Sequence, residues 1–151
     1  MKVLLVSNQR QNAWGVGNPI MYRMRDALEQ DERIEMVEFL PFSNSLFSLR
    51  EIRLSAKEYD VVHIHFGGVY ALIIWLALIG VGAKKLITFH GTDIHARALK
   101  TAKGWKERLK IWLNQKASFL SIRLFDRCGF VAAEMMDYVP KCLASHMQKK
   151  S

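Results

Sequence analysis

Short apolar runs alternate with stretches of helical periodicity along this chain, and the alternation predicts strand–helix–strand units. Lys2 to Ser7 reads as a first strand, Asn18 to Gln30 as a helix, Ile34 to Leu40 as a second strand and Leu46 to Glu58 as a second helix. Asp60 to His65 forms the third strand, followed by an apolar helix from Val69 to Ile79, and Lys85 to Phe89 the fourth. A basic helical region then runs from about Lys103 to Leu124, Arg127 to Ala133 is a fifth strand, and a helix begins near Glu134. Strands separated by helices build a parallel sheet with right-handed crossovers. The expected fold is therefore α/β: a Rossmann-like, doubly wound parallel sheet in a single domain. No repeat or linker divides the chain, so residues 1–140 are read as the domain and 141–151 as a polar tail or truncated helix.

Composition limits the alternatives. A chain of 151 residues that is 50% apolar can bury a proper core. Val69 to Ala83 carries no charge over 15 residues, but a spanning helix needs about 20. It reads as a buried helix, with a re-entrant membrane hairpin as the lesser reading. Met1 to Ser7 looks like a strand and lacks a small-residue cleavage site, so no targeting segment is expected. The two cysteines, Cys128 and Cys142, make neither a CxxC pair nor a disulfide framework, which fits a reducing, cytoplasmic setting.

The net charge of +8 is unevenly placed: residues 1–83 carry 8 Lys/Arg against 9 Asp/Glu, residues 84–151 carry 14 against 5. Arg97, Lys100, Lys103, Lys106, Arg108 and Lys110 supply most of the excess, with Glu107 the sole acid among them. On a helical wheel Trp105, Leu109, Trp112, Leu113, Phe119 and Leu120 share one broad face, while Lys103, Lys106 and Lys110 cluster on another. Two readings stay open. The Trp/Leu stripe packs on the sheet with the lysines solvated, or the helix lies on an anionic membrane, each lysine contributing on the order of 1 kcal/mol. A nucleic-acid partner is not expected, because the aromatics sit on the apolar face instead of interrupting an extended basic groove.

Candidate chemistry gathers at predicted strand ends. In Leu86-Ile87-Thr88-Phe89-His90-Gly91-Thr92-Asp93 a buried strand runs into a histidine, a glycine and a possible helix cap. Ligands bind at the carboxyl edge of open α/β sheets, where loops diverge, so His90 is the first functional candidate; the alternative is a strand-end histidine held by a carbonyl. In the first connection, Gly15-Val16-Gly17-Asn18-Pro19 offers two glycines for close approach of a phosphate or sugar, an N-cap at Asn18 and proline at the first helical position. The third glycine of a dinucleotide fingerprint is missing, and Phe39-Leu40-Pro41-Phe42 offers no ribose-binding acid, so a nicotinamide cofactor is not expected. His63 and His65 lie on one side of the third strand by alternation. With His90 they could bind zinc, but the favoured reading has His65 lining the cleft, His63 packed and no metal.

Taken together, Tyr59-Asp60-Val61-Val62-His63-Ile64-His65, the segment ending His90-Gly91-Thr92-Asp93, and Gly129-Phe130-Val131-Ala132-Ala133-Glu134-Met135-Met136 resemble the amino-terminal domain of family 4 retaining glycosyltransferases. The similarity runs from Met1 to about Pro140. These are GT-B enzymes, with two Rossmann-like domains facing across a cleft. The resemblance implies transfer of a sugar from a nucleotide-sugar donor to a glycan or lipid-linked acceptor, without a metal or other cofactor. It assigns acceptor shaping to this domain, the donor's phosphates to the loop at Gly15 and Gly17, and the transferred sugar to His90, which would orient hydroxyls. His65, Gly91 and Asp93 would complete the substrate-binding set, with Asp93 either capping the following segment or bonding an acceptor hydroxyl. Lys103, Lys106, Lys110, Trp105 and Trp112 would dock the domain on the inner face of the membrane. Where the family usually has a serine after the fifth strand, this chain has Ala132-Ala133. A donor-binding domain is not expected in the residues after Pro140, so activity would need that domain or a partner chain. The alternative is a non-catalytic acceptor-binding or membrane-docking module derived from such a domain.

Overall fold

The computed structural model describes residues 1–7, 19–43, 45–91, 93–94 and 101–148. Its described strands form one five-stranded sheet, all parallel, in the order β2-β1-β3-β4-β5. These are β1 (Lys2–Ser7), β2 (Met36–Pro41), β3 (Val61–His65), β4 (Lys84–Phe89) and β5 (Arg127–Phe130). The helices are α1 (Pro19–Glu29), α2 (Leu46–Ser55), α3 (Val69–Ala77), α4 (Trp105–Leu124) and α5 (Lys141–Gln148), with 3-10 turns at Ala56–Glu58 and Ala133–Tyr138. This is a single Rossmann-like α/β domain.

Burial explains the order. Val3, Leu4, Leu5 and Val6 are all buried, which suits β1 to lie between two strands and beneath helices on both faces. Each fully buried side chain of this kind contributes about 1.5–3 kcal/mol. β2 is an edge strand with no buried residue and ends in Pro41, which lacks an N–H and is tolerated at a sheet border. Alternation splits the core in two. Val3 and Leu5 face α1 through Met21, whereas Leu4, Val6, Val62, Ile64, Ile87 and Phe89 face the other way, toward Ile52 of α2, Ala71 and Ile74 of α3, and Ile122 of α4.

The predicted elements are present with shifted ends. The second helix yields to a 3-10 turn at Ala56. The fifth strand stops at Phe130, and the helix expected near Glu134 is a 3-10 turn, the α-helix beginning only at Lys141. Residues 141–148 are thus helical, with Leu143 in the core. Glycines, with positive φ at Gly68 and Gly80, bracket α3, which the Trp75 Nε1–H bond to the Leu124 carbonyl (3.1 Å) ties to the end of α4. Among the described residues, no helix is long and apolar enough to cross a membrane.

Candidate functional site at the switch point

In the order 2-1-3-4-5 the connections that follow β1 and β3 run to opposite sides, which makes the carboxyl ends of β1 and β3 the switch point at which ligands bind in open α/β sheets. Register places Ser7, His65 and Thr88 side by side at that edge, and His90 follows one residue after β4. The segment after Ser7, with Gly15 and Gly17, departs from the same edge; both glycines lie outside the described residues.

Beyond His65 the chain makes a tight exit. Phe66 sits in the left-handed region (φ 69°), followed by Gly67, then Gly68 at φ 96° and the first turn of α3. A side chain in that region costs about 1–3 kcal/mol. Offsetting contacts are visible: Phe66 N–H donates to the Thr88 carbonyl (2.9 Å), and its ring stacks on His90 with centroids 4.1 Å apart and planes 26° apart. Gly67 admits no side chain, because a Cβ there would lie 2.5 Å from Ser118 Oγ and 2.6 Å from Phe89 Cε1.

Asp93 closes the arrangement. Its carboxylate accepts from Gly67 N–H at 2.6 Å and from His90 N–H at 3.2 and 3.3 Å, so one acid clamps the exits of β3 and β4 together. Both bonds go to backbone donors that precede Asp93; the segment it was expected to cap, residues 95–100, lies outside the described residues. Gly91, at φ 100°, makes the turn between His90 and Asp93 possible, with Ile94 N–H returning to the Gly91 carbonyl.

The three histidines form a ladder across the strand ends. His63 Nε2 meets Thr88 Oγ1 at 2.8 Å, the His63 and His65 rings lie 4.2 Å apart, and His65 Nδ1 meets His90 Nε2 at 3.1 Å. His65, expected to line the cleft, is fully enclosed; His63, expected to be packed, keeps partial exposure. Burial lowers all three affinities for protons. The His65 pKa falls to about 2 through burial and then its two neighbours, His63 to about 4 through burial and then His90. His90 is also lowered by burial, with Asp93 acting in the opposite sense. The His65–His90 bond therefore joins two neutral rings, one N–H to one lone pair. Among the described residues no group of three or more His, Cys, Asp or Glu is placed to hold a metal ion.

Sequence reasoning did not single out Phe66, Thr88 or Tyr70. Tyr70 OH, Ser118 Oγ and His65 Nε2 are buried without a hydrogen-bond partner among the described residues. Burial and then the Asp93 carboxylate hold the Tyr70 phenol well above its ordinary range, so it stays a neutral donor. The Phe66-Gly67-Gly68 tripeptide between strand and helix was the available signal for this loop.

The basic helix differs most from a conventional amphipathic helix. α4 turns Gln115, Ala117, Ser118, Ser121 and Ile122 inward; of the predicted stripe Phe119 packs against the core, while Trp105 (71% exposed), Leu109, Trp112, Leu113 and Leu120 face out. Lys103, Lys106 and Lys110 are exposed as well. The small inward residues let α4 lie close to the β3–α3 loop, where Asn114 Oδ1 accepts from Val69 N–H at 3.2 Å.

Fold and site together define an open, doubly wound α/β domain whose polar groups converge at the topological switch point. No family model matches the sequence, and no curated protein matches it either.

Proposed function

We propose that this chain is the amino-terminal, acceptor-side half of a retaining glycosyltransferase, taking a sugar from a nucleotide-sugar donor to a glycan or lipid-linked acceptor once a donor-binding domain or partner chain completes the cleft. The observation that carries this reading is His90: a neutral imidazole at the carboxyl edge, stacked on Phe66, bonded to His65 and held at its backbone by Asp93. A ring fixed on three sides presents its remaining polar atom in one direction, and positioning contributes strongly where a transition state carries charge on a sugar ring. Nothing in this role requires His90 to exchange a proton, which suits its lowered basicity. In the enzyme completed by its donor-binding domain, His90→Ala lowers sugar transfer about 10²-fold while the melting temperature stays within a few degrees. Unchanged turnover removes the assignment.

The outward Trp/Leu stripe of α4 supports peripheral docking on an anionic membrane, with Trp105 and Trp112 entering the interface and Lys103, Lys106 and Lys110 above it. The same stripe is what a non-catalytic docking module would retain. Transfer by the completed enzyme separates the two readings.

A further inference from the structure

A groove of about 430 Å³ lies between the first turn of α3 and the amino-terminal half of α4. Val69, Trp105, Leu109 and Leu113 supply its apolar lining, and Lys106, Lys110 and Asn114 its polar one. Its size falls within the roughly 300–1,000 Å³ typical of small-molecule sites. Each wall residue is at least 43% exposed, so apolar surface that ordinary packing would cover is left in contact with solvent.

Charge decides what suits it. Among the described residues no acidic side chain lines the groove. Glu107, the one acid in the first two turns of α4, turns back to accept from Lys103 N–H at 2.8 Å. Lys106 Nζ sits 5.7 Å from the centre of the Trp105 ring, placing a cation at the edge of an apolar wall. The groove also opens beside the candidate site: Val69 directly follows Gly67-Gly68, and Gly67 N–H is held by the same Asp93 carboxylate that holds His90. Gly68 permits this closeness, since a Cβ there would come within 2.9 Å of Asn114 Oδ1.

We infer that this groove seats the hydrocarbon chain of a single anionic lipid, with the lipid's phosphate on Lys106 and Lys110 and facing the His90 edge. The inference rests on, and deepens, the reading of α4 as the membrane-facing, acceptor-side helix. A convex apolar stripe would only lie on a bilayer; a concave one with cations at its mouth selects a chain with an anionic head. The hydrophobic term supplies affinity and the two lysines supply orientation.

Decyl phosphate, kept below the concentration at which it forms micelles, tests this with the full chain. Titration followed by tryptophan fluorescence and calorimetry is expected to saturate at one ligand per chain. Leu109→Glu, a half-exposed position whose substitution leaves the melting temperature within a few degrees, weakens binding at least about tenfold by placing an acid in the groove. Lys106→Gln with Lys110→Gln weakens decyl phosphate several-fold and abolishes the preference over decanol, while inorganic phosphate alone does not bind measurably. Absence of saturation, or equal binding by Leu109→Glu, overturns the inference.

Pelleting with phosphatidylglycerol vesicles separates surface docking from a seat for a single lipid. Vesicle binding without decyl phosphate binding keeps the docking helix and overturns the lipid seat. Groove-dependent binding of decyl phosphate with transfer unaffected by His90→Ala keeps the seat and removes the transferase assignment. Sedimentation as a dimer that Leu109→Glu dissociates, with no decyl phosphate bound, assigns the groove to a second copy and also overturns the seat.

Discussion

At the scale of single residues the site depends on two features of different character. Asp93 satisfies two backbone donors from separate loops, and removing it strands both. Each buried N–H left unpaired costs about 1–3 kcal/mol, so Asp93→Ala lowers unfolding free energy by about 2–4 kcal/mol in urea titrations, and a change below about 0.5 kcal/mol would contradict the clamp. The histidine ladder sets a pH dependence. Its rings bind protons less readily in the folded state than in the unfolded chain, where the ordinary value is near 6.5. The unfolded state therefore takes up protons first on acidification, and stability falls as pH drops through about 6.5 toward the folded value of His63, about 4. Melting temperatures measured from pH 8 to 4.5 are expected to decline in that window, and to decline less in His63→Gln, which keeps a hydrogen-bonding group near Thr88 without the titration. A wild-type curve that is flat, or parallel to the variant, counts against the neutral ladder. His90 itself was legible in the sequence because a strand pattern runs into it. Asp93 was legible as a residue but not in its role, because its partner Gly67 is 26 positions away.

At the scale of elements, α4 carries the main lesson. A helical wheel finds the Trp/Leu stripe but assigns it no direction, since a core-facing and a membrane-facing helix need the same periodicity. Packing decided: Gln115, Ala117, Ser118 and Ser121 are small or polar enough to let α4 approach the β3–α3 loop, and of the stripe only Phe119 packs against the core while Trp105, Leu109, Trp112, Leu113 and Leu120 turn out. Stability then depends on the opposite face from the one the wheel emphasises. Ile122→Ala, at a fully buried position, costs about 2–5 kcal/mol, whereas Trp112→Ser changes stability by less than about 0.5 kcal/mol. Chemical denaturation of both variants checks this, and a large loss in Trp112→Ser would place the stripe against the fold. The helix boundaries show the same division. Ser45 caps α2 by accepting from Ser48 N–H at 3.1 Å, a local event near its expected start. The end of β5 depends on its neighbour: Leu86–Phe89 pairs with Arg127–Phe130, and the pairing closes with Val131 N–H on the Phe89 carbonyl at 3.2 Å.

The whole molecule is an asymmetric sandwich around β1. One face is covered by α1 against Val3 and Leu5; the other bears α2, α3 and α4 over the larger core. Because β1 is paired on both sides and buried on both faces, it defines the most protected part of the domain. Hydrogen exchange is expected to be slowest at Leu4, Leu5 and Val6, and faster at the edge strands β2 and β5; equal protection across the sheet would argue against a core centred on β1. The edge at which Ser7, His65 and His90 emerge is where the first connection also begins, so a ligand bound there touches both halves of the winding. α4 is tied to the loop that leaves that edge through the Val69–Asn114 hydrogen bond.

The sequence by itself determined the element types, their alternation and hence the parallel sheet, because periodicity of apolar residues is a local property that burial amplifies. It also determined that His90 stands just beyond a strand, for the same reason. Only the tertiary structure decided which side of α4 faces water, that His65 is enclosed and bonded to His90, and that Asp93 joins the exits of β3 and β4. Each of these depends on contacts between residues far apart in the chain, where packing volume and the need to satisfy buried N–H groups outweigh local preference.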